Sequence, residues 1–436
     1  MRILFAMFHG DGNVPLITPI VAALVARGHA VRVLAGPGVR ATRLPVGDRF
    51  LTRIAATGAT HVPFTMPATH PFDDAPAPCG LLRGWTPKRL TAATSTAPTL
   101  VWSSAWAENV AAELGRERAE VVAADFVLLG ALAAAEAAGV PAAALVHGTY
   151  KHRPAPGVPG YGTGDMPARG PLGELRDALY HAGIERIYRR DGLPALNRAR
   201  RGLGLPPLRS SFDQYDRATR VLILASAAFD FPVRRLPPNV RYVGAPTDDA
   251  GAAWDESWLA GDNRPLVVAS LSTLAQGQGP VLQRVLAALD GMPVRALVTT
   301  GPSLDPAQFR APTNVRLEAF VPHGAVLPQA AALVTQCGMS TVGKALEYGV
   351  PMVCIPLLGD QPDNAARVVA RGAGIRLDRN ASPEQIRRAI ERVLNEPRFR
   401  AGARRLAAVL AREDGAEAAA VEIEGLVGGH MPGVTD

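Results

Sequence analysis

Three cysteines are all that this chain of 436 residues carries, and Cys79, Cys337 and Cys354 form neither a disulfide framework nor a metal-ligand spacing. A reducing cytoplasm is the simpler setting. Lysine is scarce and aromatic residues are only 6% of the chain, so the net charge of +7 and the pI near 9.7 come from arginines scattered through helical stretches. Nucleic-acid binding would need a basic stripe with aromatics interleaved, and that reading is set aside. Long apolar runs are missing as well. The longest, 121–146, is interrupted by Asp125, Glu136 and Pro141, which argues against a membrane span. The opening MRILFAMFHG has an apolar run that ends too soon for a secretory signal.

What is present is ample core, with 48% hydrophobic residues in a length comfortable for two domains. Ile3–Phe8 reads as a short buried strand, 9–13 as a glycine-rich turn, Pro19–Arg27 as an amphipathic helix and Ala30–Leu34 as a second strand. This βαβ rhythm seeds a parallel doubly wound sheet. It recurs at Val121–Leu129, Ala142–Val146 and Val221–Ala225. Two stretches break it: 62–105, with Trp85, Trp102 and Trp106 in or beside it, and 151–173, rich in Pro and Gly. Long irregular segments inside an α/β domain are usually functional loops. Turn residues mark 242–255 as a linker. A second series follows at Leu266–Leu271, Val294–Thr299, Val315–Phe320, Ala332–Thr335 and Met352–Ile355, with terminal helices at 383–394 and 397–428. The expected architecture is α/β: two Rossmann-like domains, 1–241 and 256–412, facing each other across a cleft, with a C-terminal helix and tail at 413–436.

The most informative stretch is 335–364, TQCGMSTVGKALEYGVPMVCIPLLGDQPDN. Small residues at 337–341 open a helix, whose unpaired N–H groups and positive dipole end suit a phosphate. Asp360 and Gln361, just past an apolar strand, can hydrogen-bond a polyol. Phosphate and sugar contacts at this spacing suggest a nucleotide-sugar site.

The motifs around this stretch resemble those of family 1 glycosyltransferases of the two-domain GT-B fold, in the style of the actinobacterial enzymes that glycosylate macrolides and polyketides. The chain carries Phe320-Val321-Pro322-His323, Gln336-x-Gly338-x-x-Thr341, Gly349-Val350-Pro351 and Asp360-Gln361-x-x-Asn364-Ala365, with the family spacing throughout. The resemblance implies that Phe320, Val321 and His323 hold the nucleotide base. Gly338, Met339, Ser340 and Thr341 would bind the diphosphate, and Asp360 with Gln361 the donor sugar. Ser270, Ser272 and Thr273 supply a further donor contact, with Ser272 where the family has glycine. Gln336 stands where it has histidine. The resemblance also implies an inverting reaction, no cofactor and no metal, a dTDP- or UDP-sugar donor, a hydrophobic small-molecule acceptor, and a C-terminal helix that crosses back to the first domain; a homodimer stays open.

The N-terminal motif departs from the family. Counting back from Arg27-Gly28-His29 places Asn13 at the position of the histidine that removes the acceptor proton, while the aspartate that orients it matches Asp125. Neutral Asn cannot accept a proton near pH 7, and a positioned base is worth roughly 10²–10⁴ in rate. Three readings remain open. His9 or Asp11 in the same turn acts as base; the acceptor is intrinsically nucleophilic and Asn13 only orients it; or the chain is a non-catalytic homologue that serves as an auxiliary or binding protein. His147, after a strand end, and the tryptophans Trp85 and Trp102 are candidates for the acceptor wall, with core packing the bland alternative for each tryptophan. A dinucleotide-binding dehydrogenase is disfavoured, since the third glycine of the fingerprint falls on Pro15 and Leu34-Ala35-Gly36 offers no acidic residue.

Overall fold

The computed structural model describes residues 1–8, 14–36, 48–65, 102–246, 254, 256–259, 263–271, 277–301 and 303–427. Seven strands form the first sheet: β1 (Arg2–Phe8), β2 (Ala30–Gly36), β3 (Thr60–Pro63), β4 (Val121–Asp125), β5 (Ala142–His147), β6 (Arg220–Leu224) and β7 (Val240–Tyr242). Six form the second: β8 (Leu266–Ser270), β9 (Arg295–Thr299), β10 (Val315–Glu318), β11 (Ala330–Thr335), β12 (Met352–Cys354) and β13 (Gly374–Arg376). The orders are β3-β2-β1-β4-β5-β6-β7 and β10-β9-β8-β11-β12-β13, with every pairing parallel. Central strands such as VVAAD and AAALVH are buried along their whole length, as strands covered by helices on both faces must be. In each sheet the chain reverses its direction of travel between two neighbours, β1 and β4 in one, β8 and β11 in the other. The crevice outside the carboxyl ends of such a pair is where ligands bind in open α/β sheets.

Several elements differ from the sequence reading for local reasons. The strand expected over 121–129 stops at Asp125, because the Leu128 N–H turns back to the Asp125 carbonyl at 2.9 Å and the helix Leu129–Ala137 begins. The terminal helix expected over 397–428 is two, Pro397–Leu410 and Gly415–Glu424. Asp414 starts the second by accepting the Glu417 N–H at 3.0 Å. The strands β3, β7 and β13 are edge or near-edge pieces of three or four residues, too short to show a period. The irregular stretch from 151 ends at 169, where the helix Gly170–Ile187 starts.

Two features tie the halves together. The helix Gly415–Glu424 returns to the first sheet, burying Ala419, Ala420 and Ile423 among Ile3, Phe5, Ile20 and Leu24. Its polar edge meets Arg27 through Glu424, at 2.8 Å, and Arg220 through Glu422, at 2.9 Å. Such exposed pairs are each worth ~0–1 kcal/mol, so the apolar contact carries the docking. The second tie is polar and buried: Asp230, after β6, lies 2.7 Å from the guanidinium of Arg367 on the helix Gln361–Ala370. Among the described residues no helix is long and apolar enough to cross a membrane.

Candidate active site

The carboxyl ends of β8 and β11 carry residues expected on the donor side. β11 runs out at Thr335, Gln336 follows with little exposure, and Cys337 adopts φ +70°, the left-handed region that non-glycine residues avoid. Such strain persists where the surroundings over-determine it, commonly at a ligand site. Here the Cys337 N–H is held by the Thr335 hydroxyl at 3.1 Å, and its carbonyl accepts the side-chain amide of Asn364 at 3.0 Å. Gly338 caps the helix Met339–Glu347, and Ser340 and Thr341 stand half-buried in its first turn. The helix start thus leaves N–H groups unpaired with two hydroxyl side chains in the same turn, an arrangement suited to an anion. Gly338 itself has φ −60°, so its special value is space and not a left-handed backbone.

Asn364 was part of the family pattern without a stated task. Its fully buried side chain anchors the strained turn, so Asn364→Ala leaves the Cys337 carbonyl orphaned in the interior. We expect a loss of about 1–3 kcal/mol in denaturant unfolding, with weaker nucleotide binding. An unfolding midpoint equal to that of the parent would show that the anchor is dispensable.

Ser270 ends β8, where its hydroxyl accepts from Thr299 at 3.1 Å and lies 3.2 Å from Nε2 of His323. Burial, and then the Lys344 ammonium, brings His323 down to about 4, so its ring is neutral at physiological pH. Phe320 is 59% exposed beside buried Val321, a free aromatic face at the position assigned to the base. Lys344 is buried and pairs with Glu347 at 3.3 Å. The Oε1 atom of Gln361 accepts the N–H groups of Leu357 and Leu358 at 2.8 and 3.1 Å, so this oxygen shapes the loop that leads to Asp360.

Asp360 is met from the opposite half. Lys151 reaches its Oδ2 at 3.0 Å while lying over the rings of Phe126 and Tyr161. Sequence reasoning passed over Lys151; its scarcity as a residue type, next to a strand-end turn, was the available signal. Beside it opens a cavity, partly open to solvent, between the first half and the helix Gln361–Ala370. Its wall carries the rings of Phe126, Tyr150, Tyr161, Tyr180, Tyr188, Phe212 and Tyr215, with His152, His181 and Asp363 among them. His152 is enclosed with neither ring nitrogen hydrogen-bonded, set edge-on to Tyr150 and Tyr215, and burial pushes it down to about 3. None of these wall residues was singled out in the sequence, because they converge from five separate segments.

The remaining expectations divide. Asp125, at the end of β4, is fully buried, with its Oδ2 3.2 Å from Nε2 of His147 at the end of β5. His147 is not on the cavity wall but directly beside it, edge-on to Phe126. Trp102 and Trp106 are each 1% exposed within the main core and do not line the cavity. His9, Asp11, Asn13, Trp85, Ser272 and Thr273 lie outside the described residues. Among the described residues no group of three His, Cys, Asp or Glu side chains is placed to hold a metal ion.

Comparison with known proteins bears on this arrangement. Residues 208–413 match the family described as UDP-glucoronosyl and UDP-glucosyl transferase. Over 98% of its length the chain is 32% identical to 99% of the 4'-demethylrebeccamycin synthase of Lentzea aerocolonigenes. The chain belongs to this family of glycosyltransferases. The aklavinone 7-beta-L-rhodosaminyltransferase of Streptomyces galilaeus is 29% identical over 94% of this chain and 91% of that protein. Among solved structures, the glycotransferase of kitacinnamycin superposes with a TM-score of 0.74 at 19% identity, over 98% of each chain. Glycosyltransferase VinC in complex with dTDP gives 0.71 at 20% identity, over 98% of this chain and 99% of that one. At these identities the structural likeness speaks for the fold, which is GT-B.

Proposed function

We propose that this glycosyltransferase is an inverting, metal-independent enzyme that moves a sugar from a dTDP- or UDP-sugar to an aromatic natural product. The carrying observation is the cavity of seven Phe and Tyr rings, whose wall residue Thr149 follows Gly148, itself packed against Met339 at the phosphate-suited start of the helix Met339–Glu347. Aromatic walls favour a planar partner through offset and edge-on ring contacts, each worth ~0.5–1.5 kcal/mol beyond area burial. A macrolide, with no π-face, would gain only the burial. Relatives named for rebeccamycin and aklavinone support a natural-product acceptor, and a neighbour solved with dTDP supports the donor nucleotide. The donor diphosphate sits at 338–341, where the helix dipole and Thr341 stabilise the charge that develops as the glycosidic bond breaks. Asp360, with Lys151 beside it, takes the sugar hydroxyls. The absence of a suitable membrane-crossing helix among the described residues fits the proposed cytoplasmic site of action.

The test uses dTDP-glucose and UDP-glucose with a dihydroxyanthraquinone and, separately, a macrolide aglycone as acceptors. We expect nucleoside diphosphate release with the anthraquinone, and a KM for it raised roughly tenfold in Tyr161→Ala, the equivalent of ~1.4 kcal/mol of ring contact. Turnover of the macrolide alone would overturn the acceptor class.

A further inference from the structure

We propose that His147, braced by Asp125, is the general base that takes the acceptor proton in place of the histidine missing at position 13. The inference rests on the reading above, with the acceptor in the aromatic cavity and the donor at the helix Met339–Glu347. β4 and β5 are parallel neighbours with Asp125 opposite Leu145, so Asp125 and His147 emerge at the same end of the sheet. There the His147 Nε2 lies 3.2 Å from the Asp125 carboxylate. Asp125 is flanked by β1 on one side and β5 on the other. The family pattern would brace a histidine arriving from β1; this chain places one on the β5 side of the same carboxylate.

The segment after His147 locates the pair between both substrates. Gly148 has φ +86°, and a Cβ there would lie 2.8 Å from Cγ of Met339, the first residue of the donor helix. The backbone next to His147 therefore touches the donor site, and only a glycine allows that approach. Thr149, Tyr150 and Lys151, which follow at once, line the acceptor cavity. The rings of Phe8 and Phe126 stand edge-on to the imidazole from the two other sides, at 6.2 and 5.8 Å.

The chemistry balances without a further reactant. Nε2 is enclosed 3.2 Å from the Asp125 carboxylate with no hydrogen bond formed to it among the described residues, and Nδ1 is the nitrogen left to act. Burial, and then the nearby Lys151 ammonium, keeps His147 down at about 3, so the ring enters the reaction neutral but weakly basic. Its proton uptake depends on the Asp125 carboxylate and on relief of that burial when substrates bind. As the acceptor heteroatom bonds to the anomeric carbon, the bond from that carbon to the diphosphate oxygen breaks and its electron pair leaves with the nucleotide. The acceptor proton passes to His147, and the imidazolium that forms is stabilised by the Asp125 carboxylate. Lys151 opposes that imidazolium, and its own pairing with Asp360 limits the opposition.

His147→Gln keeps volume and polarity while removing the basic nitrogen. With dTDP-glucose or UDP-glucose and a hydroxyanthraquinone, kcat should fall roughly 10²–10⁴-fold while nucleotide affinity by calorimetry stays within about twofold. Adding Asn13→His in the same chain should recover much of the turnover, because it restores the residue type that the family pattern carries at the base position. That recovery is a result a merely structural role for His147 would not give. A kcat within tenfold of the parent in His147→Gln would overturn the assignment, as would a loss that neither Asn13→His nor added imidazole with His147→Gly relieves. If the parent chain turns over none of these substrates, it is the proposed function that fails, and the base assignment falls with it.

Discussion

Asp230→Ala is expected to cost about 3–5 kcal/mol of unfolding free energy, among the largest losses of any single substitution in this chain. The Asp230 carboxylate is 1% exposed and fully used: Oδ2 accepts the Tyr150 N–H at 2.6 Å and the Tyr242 hydroxyl at 2.8 Å, and Oδ1 accepts the Phe231 N–H and the Arg367 guanidinium, each at 2.7 Å. Arg367 is 4% exposed, stacks on Phe231 at 4.5 Å and bonds the Asp363 carbonyl, so it stays largely desolvated once its partner is gone. Arg371 adds bonds to the carbonyls of Phe229 and Asp230 from the same helix. The cost of the substitution is mostly that of an uncompensated buried charge, not of the pair's own attraction. Arg367→Met in the Asp230→Ala background should therefore recover part of the loss, which chemical denaturation of the four chains would measure. A single-variant loss under about 1 kcal/mol would show that water reaches Arg367. The same bonds fix how the halves meet, so kcat should fall in Asp230→Ala even where the chain remains folded.

The second large effect is a pH dependence at Asp363, on the cavity wall. Desolvation pushes this carboxyl up from 3.8 to about 6, and the N–H groups of Gly162 and Gly164, at 2.6 and 2.8 Å, with Arg367 offset only part of the rise. A group that holds its proton more tightly when folded stabilises the fold at low pH. Its contribution is fully present below about pH 3.8 and is lost as pH rises through about 6, in all about 3 kcal/mol. Glu136 acts with the opposite sign. Burial alone would raise it, yet Arg200 and Gln214 hold it below its ordinary value, so its contribution is lost as pH falls. The Asp363 effect must therefore be read as a difference. The unfolding free energy of the parent minus that of Asp363→Asn should shrink by about 2.4 kcal/mol between about pH 4 and pH 7. A flat difference would mean that Asp363 is ionised in the folded chain throughout. Because Gly162 and Gly164 flank the segment that carries Tyr161, acceptor binding should follow the same titration.

How much of this was legible in the sequence follows from how local each signal is. The central strands were readable because a strand buried on both faces is a continuous apolar run, as in LVVAS at β8 and AAALVT at β11. The donor turn was readable because its parts lie within thirty residues, from Thr335 to Asn364, and need only one helix start and one strand end to come together. β3, β7 and β13 were not, since three or four residues at a sheet edge carry no measurable period. The task of Asn364 was also hidden, as it depends on the φ of Cys337, which no sequence rule assigns to a cysteine.

The sequence by itself determined the class of fold, the family and the turn proposed to hold the donor phosphate, because each rests on contacts between near neighbours in the chain. Tertiary structure alone decided what faces that turn. Lys151 meets Asp360 across 209 positions, and Arg367 meets Asp230 across 137. The aromatic cavity draws on segments from Phe126 to Arg367. The sheet order, which sets β5 beside β4, brings His147 to the Asp125 carboxylate. Composition and periodicity record which face of an element is apolar; they do not record which distant element will cover it, and the chemistry of this cleft lies in that pairing.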